Sequence, residues 1–119
     1  MKRPLSPHLQ IYRLPLAALL SITHRFTGIG LSFVGIGYLY WLWAIAMGDG
    51  YYTTAFWLFS SLLGKIVLFL TLLAFYYHLS NGIRHLIWDF GYGINLITVE
   101  QTNKVVIAAA IILTLFTWF

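Results

Sequence analysis

Three runs without a single Asp, Glu, Lys or Arg, at residues 26–48, 66–83 and 105–119, dominate a chain of 119 residues. Only 8% of its residues are charged and 61% are hydrophobic. A soluble domain carries about 25% charged residues, so this composition cannot build a water-facing surface. A bilayer core offers backbone groups no water, which leaves helices as the way for such runs to cross it. The expected fold is therefore an all-α membrane protein with three transmembrane helices and a short N-terminal segment outside the bilayer. One transmembrane domain covers residues 1–119, with spans near 15–47, 65–86 and 102–119.

The runs differ in length. The first is ample for one crossing and the second is just adequate. The third, roughly 22 Å as a helix against a hydrocarbon core of about 30 Å, is short and recruits Thr102 and Asn103 as its first turn. Pro15 suits a first helical position, so span one starts there and exceeds what a bilayer requires. Its first turns carry Ser21, His24 and Arg25 at the membrane surface. The Tyr-, Thr- and Ser-rich stretch at 51–64 precedes Lys65 and is expected to lie at the interface, with Lys65 snorkelling at the outer end of span two.

Five Trp and eight Tyr, many near the ends of the runs, fit side chains that settle at headgroup level. The net charge of +4 is scattered over apolar segments rather than massed on one face, so it reports topology and not nucleic-acid binding. Lys2, Arg3, Arg13 and Arg25 precede span one, Asp49-Gly50 after it has no basic residue, and Arg84 and Lys104 fall in the next loop. The excess of basic residues places the N-terminus inside and the C-terminus outside. Lys65 is the lone exception. Cysteine is absent, which excludes disulfides, cysteine-held iron–sulfur clusters and covalently attached c-type haem in this chain. Met1-Lys2-Arg3-Pro4 leads into Pro-broken polar sequence, unlike a cleaved signal peptide.

Inside the second run stands His78. An ionisable side chain at membrane depth is costly and marks a functional site by default. Arg84 lies roughly 9 Å further along the helix, which sets His78 on the inner side of the midplane. His78, Asn81, Gly82 and His85 share one helical face, as do Ser21, His24, Arg25 and Gly28 on span one. Gly82 lets a flat ligand or a neighbouring helix approach, and Gly28, Gly30, Gly35 and Gly37 let span one pack closely. Facing each other, the two stripes form a basic, imidazole-bearing pocket open to the inside. Imidazole suits haem iron, and Arg and His cations suit propionates. The depth order, with His78 deep and His24, Arg25, Arg84 and His85 shallow, matches an embedded b-type haem. Ser21 and Arg25 together can polarise quinone carbonyl oxygens. Spans one and three hold no second deep histidine, so a two-imidazole haem requires the other ligand from a partner chain.

Each residue also has a plainer reading. An intramembrane His serves proton relays or bonds a carbonyl elsewhere. Arg25 and Arg84 can be interface anchors, Ser21 a hydroxyl bonded to its own backbone, and Asp89 an ion-pair partner for Arg84 or Lys104. His8 reads as a solvated or docking residue. Agreement of depth, face and chemistry is what lifts the set above its members, toward a membrane subunit with a redox or proton-handling pocket.

Three blocks carry a resemblance: Arg3-Pro4-Leu5-Ser6-Pro7-His8-Leu9-Gln10-Ile11-Tyr12-Arg13, then Ser21-Ile22-Thr23-His24-Arg25-Phe26-Thr27-Gly28, then His78 with Asn81-Gly82-Ile83-Arg84-His85-Leu86-Ile87-Trp88-Asp89. In order, spacing and placement against the three spans they resemble the cytochrome b membrane-anchor subunit of succinate dehydrogenase, respiratory complex II. The pairing of S-x-x-H-R-x-x-G with H-x-x-x-G-I-R-H is highly specific. The resemblance implies half of a heterodimeric haem-binding anchor that works with a second hydrophobic subunit. Together they hold a flavoprotein and an iron–sulfur protein at the inner face of the bacterial cytoplasmic (inner) membrane. It further implies haem b as shared cofactor and ubiquinone as substrate. By position His78 matches the axial haem ligand, Ser21 and Arg25 match quinone-site residues, and His24 and Arg25 match the propionate neighbourhood, to which Arg84 and His85 are also assigned. The N-terminal block matches a stretch lying against the iron–sulfur subunit. Rival readings are a fumarate reductase anchor, and a non-redox scaffold or proton-conducting subunit in which His78 titrates.

Overall fold

Pro15 stands just ahead of the first helix, extended at φ −63° and ψ 154°, and its carbonyl accepts the amides of Ala18 and Leu19. From there the computed structural model, which describes residues 13–119, runs through α1 (Leu16–Met47), α2 (Asp49–Ser60), α3 (Leu62–Asp89) and α4 (Leu96–Trp118). Three of these, α1, α3 and α4, are long and apolar enough to cross a membrane. The N-terminal block and its expected docking surface lie outside the described residues, Arg13 apart.

The expected spans meet the helices closely at the first and differ at the third. α4 begins at Leu96 rather than at 102, because the Asn95 side chain accepts the Thr98 amide at 2.8 Å and caps the helix early. Its 23 residues measure about 35 Å as a helix. Counting apolar residues alone missed the early turns of this helix, whose second and third carry Glu100, Gln101 and Lys104, all exposed. The stretch expected at the interface is the helix α2, whose 12 residues reach only about 18 Å. Ser61 ends it and starts α3 by accepting the Gly64 amide at 3.0 Å. A side chain at Gly64 would meet the Leu58 carbonyl oxygen, so the elbow needs glycine there. At the other end of α3, the Tyr92 amide reaches the Ile87 carbonyl (3.2 Å) and the Gly91 amide the Trp88 carbonyl (2.8 Å). With Gly91 at φ 85° this is a Schellman ending, and Trp88 Nε1 closes the loop on the Gly93 carbonyl at 3.1 Å.

α3 lies between α1 and α4 and runs antiparallel to both. Tyr76 bonds Thr117 at 2.7 Å and Phe69 meets Trp118 edge-on, joining the start of α3 to the end of α4. Tyr77 donates to the Leu20 carbonyl at 2.5 Å and pairs with the Thr23 hydroxyl at 2.6 Å, tying α3 to α1. Burial is inverted relative to a soluble domain. Phe26 and Phe33 on α1 are 70% and 69% exposed, while Asn81, Arg84, Asn103 and Thr114 are buried. Lipid is as apolar as leucine, so it gives helices little reason to hide apolar side chains; polar groups inside hold them together instead.

Candidate functional site

The sequence brings two histidines to the α1–α3 seam, and glycine decides how closely they meet. A Cβ at Gly28 would stand 2.9 Å from His78 Cε1, and one at Gly82 would stand 3.7 Å from His24 Cε1. Each imidazole thus lies over a glycine of the opposite helix. The rings stack between the helices, centroids 4.0 Å apart and planes 4° from parallel. His85 tilts toward His24 at 5.4 Å, and Trp88 meets His85 edge-on at 4.9 Å. Of the glycines expected to bring span one into close packing, Gly28 does so. Gly30, Gly35 and Gly37 face nothing within 4 Å.

Hydrogen bonding sets the tautomer of His78. Its Nδ1 lies 3.2 Å from the His24 carbonyl oxygen and 3.1 Å from the Thr27 hydroxyl. A carbonyl oxygen only accepts, so Nδ1 must carry the proton. The Thr27 hydroxyl donates to the same carbonyl at 2.9 Å, which turns its lone pairs toward Nδ1–H. In the neutral ring the lone pair is then on Nε2, the nitrogen through which an imidazole so held binds a metal.

The remaining expected residues fall into two places. Ser21 is half-buried and Arg25 exposed, one turn apart on α1. Arg84 is turned toward α4: buried at 5% exposure, it donates through Nη1 to Asn103 Oδ1 on α4 and lies 4.5 Å over the Trp88 ring. That corrects the expected ion pair with Asp89, which is exposed; a neutral amide across the helix interface takes the Nη1 donor of the guanidinium instead. His24 lies over Gly82 and His78 over Gly28, one helical turn apart along the seam, and the two rings stack between them. The Nδ1 of His24 is buried without a partner among the described residues, as are both amide atoms of Asn81 and Nε of Arg84.

Sequence reasoning missed Thr27, Tyr77 and Asn103. Thr27 stands one position from Gly28 inside a block already singled out, and its spacing of three from His24 places a hydroxyl under the carbonyl that His78 seeks. Nothing in the third run marked Asn103 as a partner for Arg84.

The likeness of this chain to known proteins runs through nearly its whole length. The model of the succinate dehydrogenase/fumarate reductase transmembrane subunit matches residues 1–117. The chain belongs to this family. It is similar to the succinate dehydrogenase cytochrome b556 subunit of Paracoccus denitrificans, 42% identical over 97% of this chain and 88% of that protein. The cytochrome b556 subunit of Rickettsia felis is 41% identical over 98% of this chain and 91% of its own length. The cytochrome b560 subunit of Reclinomonas americana is 35% identical over 99% and 85%. As a member of the family, the chain is a multi-pass membrane anchor of complex II, and α1, α3 and α4 are long and apolar enough to make its crossings.

Proposed function

We propose that this chain supplies half of a haem b site and half of a ubiquinone-reduction site in the transfer of electrons from succinate to quinone. One observation carries the reading: Nδ1–H of His78 is held by the His24 carbonyl and the Thr27 hydroxyl, so Nε2 is presented as a ligand. The cytochrome designation of the relatives agrees with it. The donor set also fits. His78 would bind the iron, and His24, Arg25 and His85 would receive the propionates; the unpartnered Nδ1 of His24 is a polar atom in want of a partner. Arg84, bonded to Asn103, would support this edge from behind. Haem b, when bound, provides a one-electron carrier beside the quinone.

For the chain's own residues the chemistry is simple. Arg25 would stabilise the negative charge that builds on a quinone oxygen as electrons arrive, as preorganised donors do. Ser21, one turn before it, would orient the ring or relay a proton to that oxygen. Arg25 is exposed on α1, open to a site shared with another chain. The exposed Phe26 and Phe33 belong to the surface that lipid and a second hydrophobic subunit cover, and that subunit would provide the other axial ligand. An iron–sulfur and a flavoprotein subunit complete the complex at the inner face, with the N-terminus inside the bacterial cytoplasmic membrane and the C-terminus outside.

Purifying the complex through a tag on this chain tests the reading. The expected result is a b-type absorption band, with three companion chains on a gel. A colourless preparation would favour the scaffold or proton-conducting reading, for which the row of His78, His24 and His85 is the specific observation. Succinate oxidation by ubiquinone outpacing fumarate reduction by a low-potential quinol separates this anchor from a fumarate reductase one.

A further inference from the structure

We propose that Thr27 is a positioning residue for His78, setting the tautomer, the rotation and the donor strength of its imidazole. The inference rests on the reading of His78 as the haem ligand and deepens it. Among the described residues Thr27 is the only side chain that hydrogen-bonds the His78 ring. Its hydroxyl is committed as a donor to the His24 carbonyl at 2.9 Å. It therefore meets Nδ1–H, at 3.1 Å, as an acceptor. The same carbonyl lies 3.2 Å from Nδ1, so the proton is shared by two oxygens that are themselves bonded to each other. Such a closed triangle admits one tautomer and one ring orientation.

Two further features make Thr27 fit the task. Threonine is β-branched, and its χ1 in a helix is held where the hydroxyl bonds a carbonyl one turn back; the acceptor is fixed before His78 arrives. Its neighbour Gly28 is the position over which His78 Cε1 lies, where a Cβ would come to 2.9 Å. Thr27 and Gly28 thus form one cradle, the first holding the proton-bearing edge of the ring and the second admitting its carbon edge.

The consequence is electronic as well as geometric. A metal-bound imidazole that donates its other N–H to a good acceptor becomes a stronger base and better stabilises the oxidised metal. In a low-dielectric interior this effect is large, because water does not compete for the proton. Without the hydroxyl only the carbonyl remains as acceptor, and the ligand weakens.

The test uses the assembled complex carrying Thr27→Val, which keeps shape and branching but lacks the hydroxyl, and Thr27→Ser, which keeps the hydroxyl. The readouts are the haem midpoint potential from a redox titration and the reduced-minus-oxidised spectrum, neither of which needs turnover. T27V is expected to raise the midpoint potential and displace the band, and T27S to restore both to their unsubstituted values. A T27V complex with unchanged potential and spectrum overturns the proposal, as does a T27S complex shifted as far as T27V. Should T27V fail to assemble, Thr27→Ala is read in its place against the same criteria. Replacement of His78 in parallel separates the two levels. If the spectrum survives that replacement unaltered, the ligand reading itself fails; if it does not, a null result with T27V counts against Thr27 alone.

Discussion

The imidazoles of His24 and His78 lie parallel, 4.0 Å between centroids and 4° between planes, although 54 positions separate them in the chain. The contact is made across two helices that each place a glycine under the other's imidazole. Gly28 leaves room for His78, where a Cβ would come to 2.9 Å, while a Cβ at Gly82 would only touch His24, at 3.7 Å. One residue then serves the other twice, since the backbone carbonyl of His24 also accepts the Nδ1 proton of its stacking partner. Among the described residues the hydrogen bonds to the His78 ring all go to Nδ1 and leave Nε2 unbonded.

Gly28 should therefore be far less replaceable than the glycines near it. Gly28→Ala would drive a methyl to 2.9 Å from His78 Cε1 and displace the ring, whereas Gly30→Ala meets nothing within 4 Å. Haem content per complex, read from the optical band, is expected to fall in G28A and to stay unchanged in G30A. Equal haem content in both would place the ring elsewhere.

Arg84 and Asn103 form a buried polar joint between α3 and α4. Asn103→Leu would leave a buried guanidinium without its acceptor, at a cost of about 1–3 kcal/mol. Thermal stability of the detergent-purified complex is expected to drop in N103L and to recover in part in Asn103→Gln, which keeps the amide. A melting temperature unchanged by N103L would mean that Arg84 finds another acceptor at no cost.

Arg25 makes no such joint and is exposed on α1. Arg25→Leu is expected to cripple quinone reduction while leaving succinate oxidation with an artificial acceptor intact, since the latter draws electrons before they reach the membrane. If both activities persist, Arg25 is an anchor at the membrane surface and the quinone reading of the Ser21 and Arg25 pair falls.

Much of this was legible before any coordinates. Runs without charge announce three crossings because a bilayer tolerates little else, and a histidine within one of them is conspicuous for its cost. Facing glycines and histidines at helical spacing placed the seam between the first and second spans. What was not legible is cross-helix pairing of uncharged groups. Asn103 reads as an ordinary polar residue in an early turn until Arg84 reaches it, and Asp89 looked the better partner only because charge is visible in a sequence and burial is not. The early start of α4 escaped for a related reason: Asn95 as a cap leaves no trace in hydropathy.

The measurement that bears most directly on the account is the reduced-minus-oxidised spectrum of the intact complex with His78 replaced by leucine. Loss or displacement of the b-type band is the predicted result, with the companion subunits still present. A spectrum superimposable on that of the unsubstituted complex would contradict the assignment of His78 as the iron ligand.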